Sequence, residues 1–228
     1  MKPNLWAVVP VKSFGSAKSR LSALLTEKQR EALSLAMLSD VLVALSGVSR
    51  LAGVMVVTNE PDAIDLARKF GASVMADENT SGPSAAIQAA ISELRLKGCT
   101  GILALMGDLP LITGTDIDRL LNAHQGDCAV TLAPSGNRLG TNAAFCTPPG
   151  IIPLTFNGRG LADHLAAARL AGADTHVLDM PSVALDLDQP EDIASLLDTR
   201  SDCKTRAFIL ELVNSGQIPR IPQHQKTG

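Results

Sequence analysis

The stretch GILALMGDLP, Gly101 to Pro110, decides how the chain must be built. The uninterrupted apolar run from Ile102 to Met106 cannot alternate between a wet and a dry face. It describes a strand buried on both sides, the kind found in parallel sheets covered by helices. The run stops at Gly107-Asp108, so Asp108 stands at the rim where the chain leaves the sheet.

Outward from this strand the same alternation repeats. Leu5–Val11, Gly53–Thr58 and Ala72–Ala76 read as strands upstream, and Cys128–Ala133, Asn142–Thr147, His176–Met180 and Val183–Leu187 downstream. Thr26-Glu27-Lys28-Gln29 has the form of a capping box and opens a helix running to about Leu45, with Leu35, Leu38, Leu42 and Leu45 on one apolar stripe. Asn59 is placed to cap a second helix that has Pro61 in its first turn. Ser84–Leu96, Ile117–Ala123, Leu161–Leu170 and Asp192–Leu197 supply further helices. Strands alternating with helices predict right-handed βαβ units. The fold class is therefore α/β, a Rossmann-like three-layer α/β/α sandwich with a mostly parallel sheet. Residues 1–200 read as one domain. Residues 201–228 add a C-terminal helix and a flexible tail that includes IPRIPQHQKTG.

Composition narrows the function. A chain of 228 residues can bury roughly 70% of its unfolded surface, so it needs no staples. Lys and Arg total 20 against 23 for Asp and Glu, and six aromatic residues give no stacking platform, which argues against nucleic acid as a partner. The four cysteines and four histidines show no zinc spacing, and a core of this size makes a disulfide framework implausible. Asp40 sits inside the most apolar helix, near Leu33 to Val48, which reads as a core helix rather than a membrane span. The opening MKPNLWAVVPVKSF is too short in apolar residues for a signal peptide, so a cytoplasmic protein is expected.

Ligands of such sheets lie beyond the carboxyl ends of the strands, and three loops there carry unusual chemistry. The first, VKSFGSAKSRL, offers Lys12, Lys18 and Arg20 with Gly15, Ser16 and Ser19 between them. Backbone N–H groups and basic side chains converging in this way suit a polyphosphate, although the loop is neither a Walker A motif nor a dinucleotide fingerprint. An ordinary solvated basic loop is the bland alternative. The second is Gly107-Asp108-Leu109-Pro110, whose aspartate could hold a divalent cation or simply satisfy a turn. The third is Leu185-Asp186-Leu187-Asp188-Gln189-Pro190-Glu191, in which alternation puts Asp186 and Asp188 on one side of an extended segment. Asp188 could equally cap the helix that follows, whereas Asp186 sits between leucines with no such use. Together the three loops describe a Mg²⁺-nucleotide site.

AKSRL at Ala17–Leu21, GDLPL at Gly107–Leu111, GTN at Gly140–Asn142, FNGRGLADH at Phe156–His164 and LDLDQPEDI at Leu185–Ile193 occur in an order that resembles the CofC/FbiD-type guanylyltransferases. These enzymes activate small phosphorylated acids for biosynthesis of coenzyme F420. The resemblance covers roughly the first 200 residues and implies the nucleotide-diphospho-sugar transferase fold. It implies GTP and a phosphorylated three-carbon acid as partners, with Mg²⁺ on Asp108, Asp186 and Asp188. It further implies nucleotide contacts from Lys12, Lys18, Arg20, Gly82, Ser84 and Asp108, with Asp108, Lys18 and Arg20 as the catalytic set. Thr141, Asn157 and Gly160 would bind the acid. Two departures stand out. Asn157 and Gly160 occupy the glycine and serine positions of the family's F-G-x-x-S, and Gly82-Pro83-Ser84 replaces its G-L-N. The altered acid loop favours 3-phosphoglycerate over phosphoenolpyruvate or 2-phospholactate. A homodimer is compatible with the resemblance. The competing readings are another nucleotidyltransferase of the same fold, such as a molybdopterin guanylyltransferase or a cytidylyltransferase, and a GTP-binding module without turnover. His164 reads as a packed helix residue.

Overall fold

The first half of the chain lays down β1 (Leu5–Pro10), α1 (Glu27–Ser46), β2 (Leu51–Val57), α2 (Pro61–Lys69), β3 (Ser73–Met75), α3 (Pro83–Leu96) and β4 (Gly101–Leu105). The second half adds α4 (Gly114–Ala123), β5 (Ala129–Pro134), β6 (Thr141–Thr147), α5 (Leu161–Leu170), β7 (Asp174–Val177), α6 (Pro181–Ala184), α7 (Pro190–Leu197) and α8 (Lys204–Asn214). This computed structural model describes residues 4–15, 17–78 and 82–219. Ser16 of the basic loop and the tail from residue 220 onward lie outside the described residues.

The strands form one sheet in the order β3-β2-β1-β4-β6-β5-β7. All pairings are parallel except those of β6, which runs against both β4 and β5. The sheet grows one way from β1 to β3 and the other way from β4, which makes the edge between β1 and β4 a switch point where a crevice opens. The reversal of β6 has a local consequence. Its first residues, Thr141 and Asn142, lie at the rim where its neighbours end, and Met106 N donates to Asn142 O at 3.0 Å.

Both faces are covered, as the apolar run of β4 requires. On one face Ala7, Val9, Leu103 and Leu105 pack with Leu38, Val41 and Leu42 of α1 and with Ile117 and Leu120 of α4. On the other, Val8, Ile102 and Ala104 pack with Ile87, Ile91 and Leu94 of α3. A third cluster joins Leu33 and Met37 of α1 to Ile193 and Leu196 of α7 and to Ile209 and Leu212 of α8. Asp40, the charge inside the apolar helix, has its partners here. It accepts Lys204 N at 2.8 Å, Thr205 N at 2.9 Å and Thr205 Oγ1 at 2.6 Å, capping α8. Among the described residues no helix is long and apolar enough to cross a membrane.

Three local expectations are corrected. Val183–Leu187 is not a strand: Pro181 starts the short helix α6, after which the chain runs without regular structure through Asp188. Asn59 does not cap α2. Its amide clasps the backbone of Asp77, donating to O at 2.7 Å and accepting from N at 3.1 Å, while Glu60 takes the cap position. Asp188 does not cap α7 either. Gln189 does, and Asp192 Oδ2 accepts the N–H groups of both Asp188 and Gln189, which frees the Asp188 carboxylate for other work.

Candidate active site

The loop after β1 is held in place from three sides. Glu60 Oε2 accepts Phe14 N at 2.9 Å, fixing the loop to the start of α2. Arg30 of α1 donates to Ala17 O at 3.3 Å and to Leu25 O at 3.0 Å. Lys18 supplies the third hold. Its backbone is left-handed, at φ 54°, a conformation that costs a non-glycine residue about 1–2 kcal/mol and persists only when its surroundings enforce it. Here the side chain enforces it: Nζ donates to Asp108 Oδ2 at 2.6 Å and to Asp188 Oδ1 at 2.7 Å.

One nitrogen in contact with both carboxylates gathers residues far apart in sequence, from the loops after β1, β4 and α6, at one spot. The Lys18 side chain is only 7% exposed. Burial works against its ammonium, yet the charges of Asp108 and Asp188 outweigh that and hold its pKa above the ordinary range. Asp186 completes the cluster. Burial first, then the charges of Asp108 and Asp188, raise its carboxyl to about 6, with Lys18 pulling in the opposite direction. Asn142 Nδ2 reaches Asp186 Oδ1 at 3.5 Å. Among the described residues Asp108 Oδ1 is buried without a hydrogen-bond partner.

These observations bear on whether the residues suit Mg²⁺. An orphaned carboxylate oxygen, a second carboxylate at the same spot and a third whose pKa is pushed up by burial and then by the charges of the other two call for more positive charge than Lys18 provides. Among the described residues no group of three or more His, Cys, Asp or Glu side chains is arranged as a ready metal cage. The two carboxylates of Asp108 and Asp188 beside an open cleft would suit an ion that takes one or two carboxylates and fills its shell with water and phosphate oxygens, a habit of Mg²⁺.

A cleft of about 230 Å³ opens beside the cluster, with Lys12, Lys18, Asp108 and Asp188 among its lining and Phe14 and Pro83 as apolar walls. Gly82, at the start of α3, has φ +111° and stands so close to Lys12 that a Cβ there would lie 3.8 Å from Nζ. The structure thus brings Lys12 and Lys18 to the cleft with Asp108 and sets Gly82 beside Lys12. Arg20, in the 3-10 turn Ser19–Leu21, is exposed and does not line it. Ser84 instead accepts Phe156 N at 2.8 Å, tying α3 to the loop before α5.

Among the residues expected to bind the acid, Thr141 Oγ1 lies 3.0 Å from His164 Nδ1, and Thr155 N donates to His164 Nε2 at 2.7 Å. Gly160 has no room for a side chain, since a Cβ would fall 1.9 Å from Thr155 O. The serine that the family resemblance places at this position could not be accommodated in this loop as folded. Asn157 is exposed and accepts Arg159 N at 2.9 Å within its own turn, so the structure does not bring it to Thr141. Sequence reasoning missed Glu60 and Arg30, which are unremarkable helix residues in the chain. His164, read as a packed helix residue, is fully buried in α5, and its bonds to Thr141 and Thr155 were not foreseen.

Three comparisons with known proteins bear on this site. A family model described as "Guanylyl transferase CofC like" matches residues 5–225. The chain is 41% identical over 194 residues to the phosphoenolpyruvate guanylyltransferase of Rubrobacter xylanophilus, spanning 85% of this chain and 93% of that protein. It is 31% identical over 206 residues to the 2-phospho-L-lactate guanylyltransferase of Methanoregula boonei, spanning 90% and 87%. Its backbone matches a crystal structure described as a nucleotide-diphospho-sugar transferase from Desulfovibrio desulfuricans G20 with a TM-score of 0.75, over 93% of this chain and 96% of that one. At 15% identity that last likeness shows the fold alone.

Proposed function

The chain belongs to the CofC-like guanylyl transferase family, and from that premise we propose that it joins GTP to a small phosphorylated three-carbon acid in coenzyme F420 biosynthesis. An oxygen of the acid's phosphate attacks the α-phosphorus of GTP. The bond from that phosphorus to the bridging oxygen breaks, pyrophosphate leaves, and a GDP-linked acid remains. Phosphoenolpyruvate is the favoured acceptor, because the relative at 41% identity carries that name. It replaces the 3-phosphoglycerate that the altered acid loop suggested.

The observation that carries this reading is the single nitrogen of Lys18 bound to both Asp108 and Asp188 at the mouth of the cleft. A phosphate nucleophile is already ionised near neutral pH, so the site needs no general base. Its task is to press two anions together, by positioning and charge neutralisation. Lys12 and Lys18 line the cleft where a triphosphate would lie, and Arg20 adds an exposed positive charge in the same loop. Asp108 and Asp188, with Asp186 beside them, would hold Mg²⁺, which supplies Lewis-acid neutralisation of phosphate oxygens. Thr141 and the backbone of the 155–160 loop would receive the acid.

Mass spectrometry of products formed from GTP, Mg²⁺ and a mixture of phosphoenolpyruvate, 2-phospholactate and 3-phosphoglycerate tests the proposal. A GDP conjugate of one acid is expected, with phosphoenolpyruvate ahead. A conjugate formed only from another nucleoside triphosphate, or none at all, would sink it.

A further inference from the structure

His164 is fully buried near the start of α5, yet both ring nitrogens are engaged. The backbone N–H of Thr155 can only donate, so Nε2, at 2.7 Å, accepts and carries no proton. The neutral ring then has its proton on Nδ1, which donates to Thr141 Oγ1 at 3.0 Å. Burial supports the neutral form by lowering the ring's pKa from its ordinary 6.5, with Asp163 opposing. Once Thr141 Oγ1 is the acceptor, its own hydroxyl proton must point elsewhere, and among the described residues that proton has no acceptor.

The surroundings make this more than a packed side chain. Thr141 opens β6 at the rim, one residue from Asn142, whose amide touches Asp186. Thr155 is followed by Phe156, whose N–H donates to Ser84 Oγ at the start of α3. Gly140, just before Thr141, stands so close to Gly158 that a Cβ would lie 3.1 Å from its carbonyl carbon and oxygen. Hydrogen bonds thus tie Thr141 through His164 to Thr155, and the adjoining Phe156 ties that backbone to Ser84 at the start of α3.

We propose that His164 is a positioning residue which fixes the Thr141 hydroxyl as a donor toward an anionic oxygen, carboxylate or phosphate, of the acid substrate. The inference rests on the reading that Thr141 faces the acid. A fixed donor loses less freedom on binding than a hydroxyl that must first be oriented.

The two arms of the ring can be separated. Gln at position 164 can place an acceptor near the Nε2 position for Thr155 N while giving up the donor to Thr141. Asn places a donor near Nδ1 while giving up the acceptor. The measurements are titration calorimetry of phosphoenolpyruvate into the Mg²⁺-GTP-free protein, steady-state KM for acid and for GTP, and thermal unfolding. For His164→Gln a loss of acid affinity of about tenfold is expected, with the KM for GTP within about twofold of wild type. Thr141→Val should lose a similar amount, and the double variant no more than either single one. His164→Asn should recover most of the acid affinity where it folds. A packing role would instead lower the unfolding temperature, shift both KM values together and make the two substitutions additive, which would overturn the proposal. So would unchanged acid binding in folded Thr141→Val, a variant that keeps the shape of the side chain while removing the acceptor of His164 Nδ1. Wild-type protein that neither binds any of the three acids nor converts one with GTP and Mg²⁺ present would overturn both this inference and the guanylyl-transfer reading. Wild-type binding with unaffected variants would overturn the inference alone.

Discussion

Replacing Asp186 by asparagine should stabilise the free protein while disabling it. The carboxyl of Asp186 is raised from 3.8 to about 6, by burial and then by the charges of Asp108 and Asp188. At about 1.4 kcal/mol per unit, a shift of that size costs the folded state about 3 kcal/mol once the group ionises. Asp186 is partly exposed, so water recovers part of this, and about 1–3 kcal/mol is the working range. The direction with pH follows from proton counts. Below about pH 4 the group is protonated in both states and contributes nothing. Between about pH 4 and pH 6 the folded state keeps a proton that the unfolded state has released, so this contribution erodes stability as pH rises, and the full cost is reached above about pH 6. An asparagine amide in its place carries no such cost, and its oxygen can still accept from Asn142 Nδ2, which lies 3.5 Å from Asp186 Oδ1. For a domain of this length 1 kcal/mol moves Tm by about 2–4 °C. Thermal unfolding at about pH 7.5 should then place Asp186→Asn roughly 3–10 °C above wild type, with the gap closing toward about pH 4. Saturating Mg²⁺ should narrow it as well, since a bound cation removes the crowding that the substitution relieves. A variant less stable than wild type at neutral pH, or a gap independent of pH, would refute the crowding of charge on which the site rests.

Asp108→Ala should lower transfer by about a thousandfold, roughly 4 kcal/mol of transition-state stabilisation, while Lys18 keeps its bond to Asp188 and the fold survives. Pyrophosphate release is the assay, and retained activity would exclude Asp108 from the site. For Arg20→Ala, an exposed cation in the loop after β1, a loss of at least about tenfold is expected, about 1.4 kcal/mol. An unchanged rate would make Arg20 a surface charge only. Gly160→Ala forces a methyl group into the space of Thr155 O and should destabilise by about 1–3 kcal/mol while weakening acid binding. Circular dichroism melts together with the KM for acid check it, and a variant with wild-type Tm would show that the loop can relax freely.

The parallel sheet was legible because β4 is apolar without a break, and because a capping box at Thr26 and prolines at the start of α2 and α3 punctuate the helices. The exceptions have different causes. A short run such as Val183–Leu187 carries no period long enough to choose between strand and helix, and Pro181 decided for helix. The aspartates of the site were legible for a different reason. A carboxylate at the end of a buried strand, or between two leucines, is too costly to leave without a partner, so its presence signals one. Lys18 was legible as a cation but not as the residue that holds Asp108 and Asp188 together, because charge shows in a sequence whereas the side chain's direction depends on a left-handed backbone at one position. His164 was the hardest to read. A histidine in a helix declares its role only through what faces its two nitrogens, and here those partners lie 9 and 23 residues away, at Thr155 and Thr141. The rim of the sheet thus shows its charges in the sequence and hides its neutral hydrogen bonds. In a reaction between two anions the charges determine whether the reactants can meet. On the proposed reading the neutral bonds orient the acid, so the discrimination among acceptors should reside in Thr141, His164 and the loop they brace.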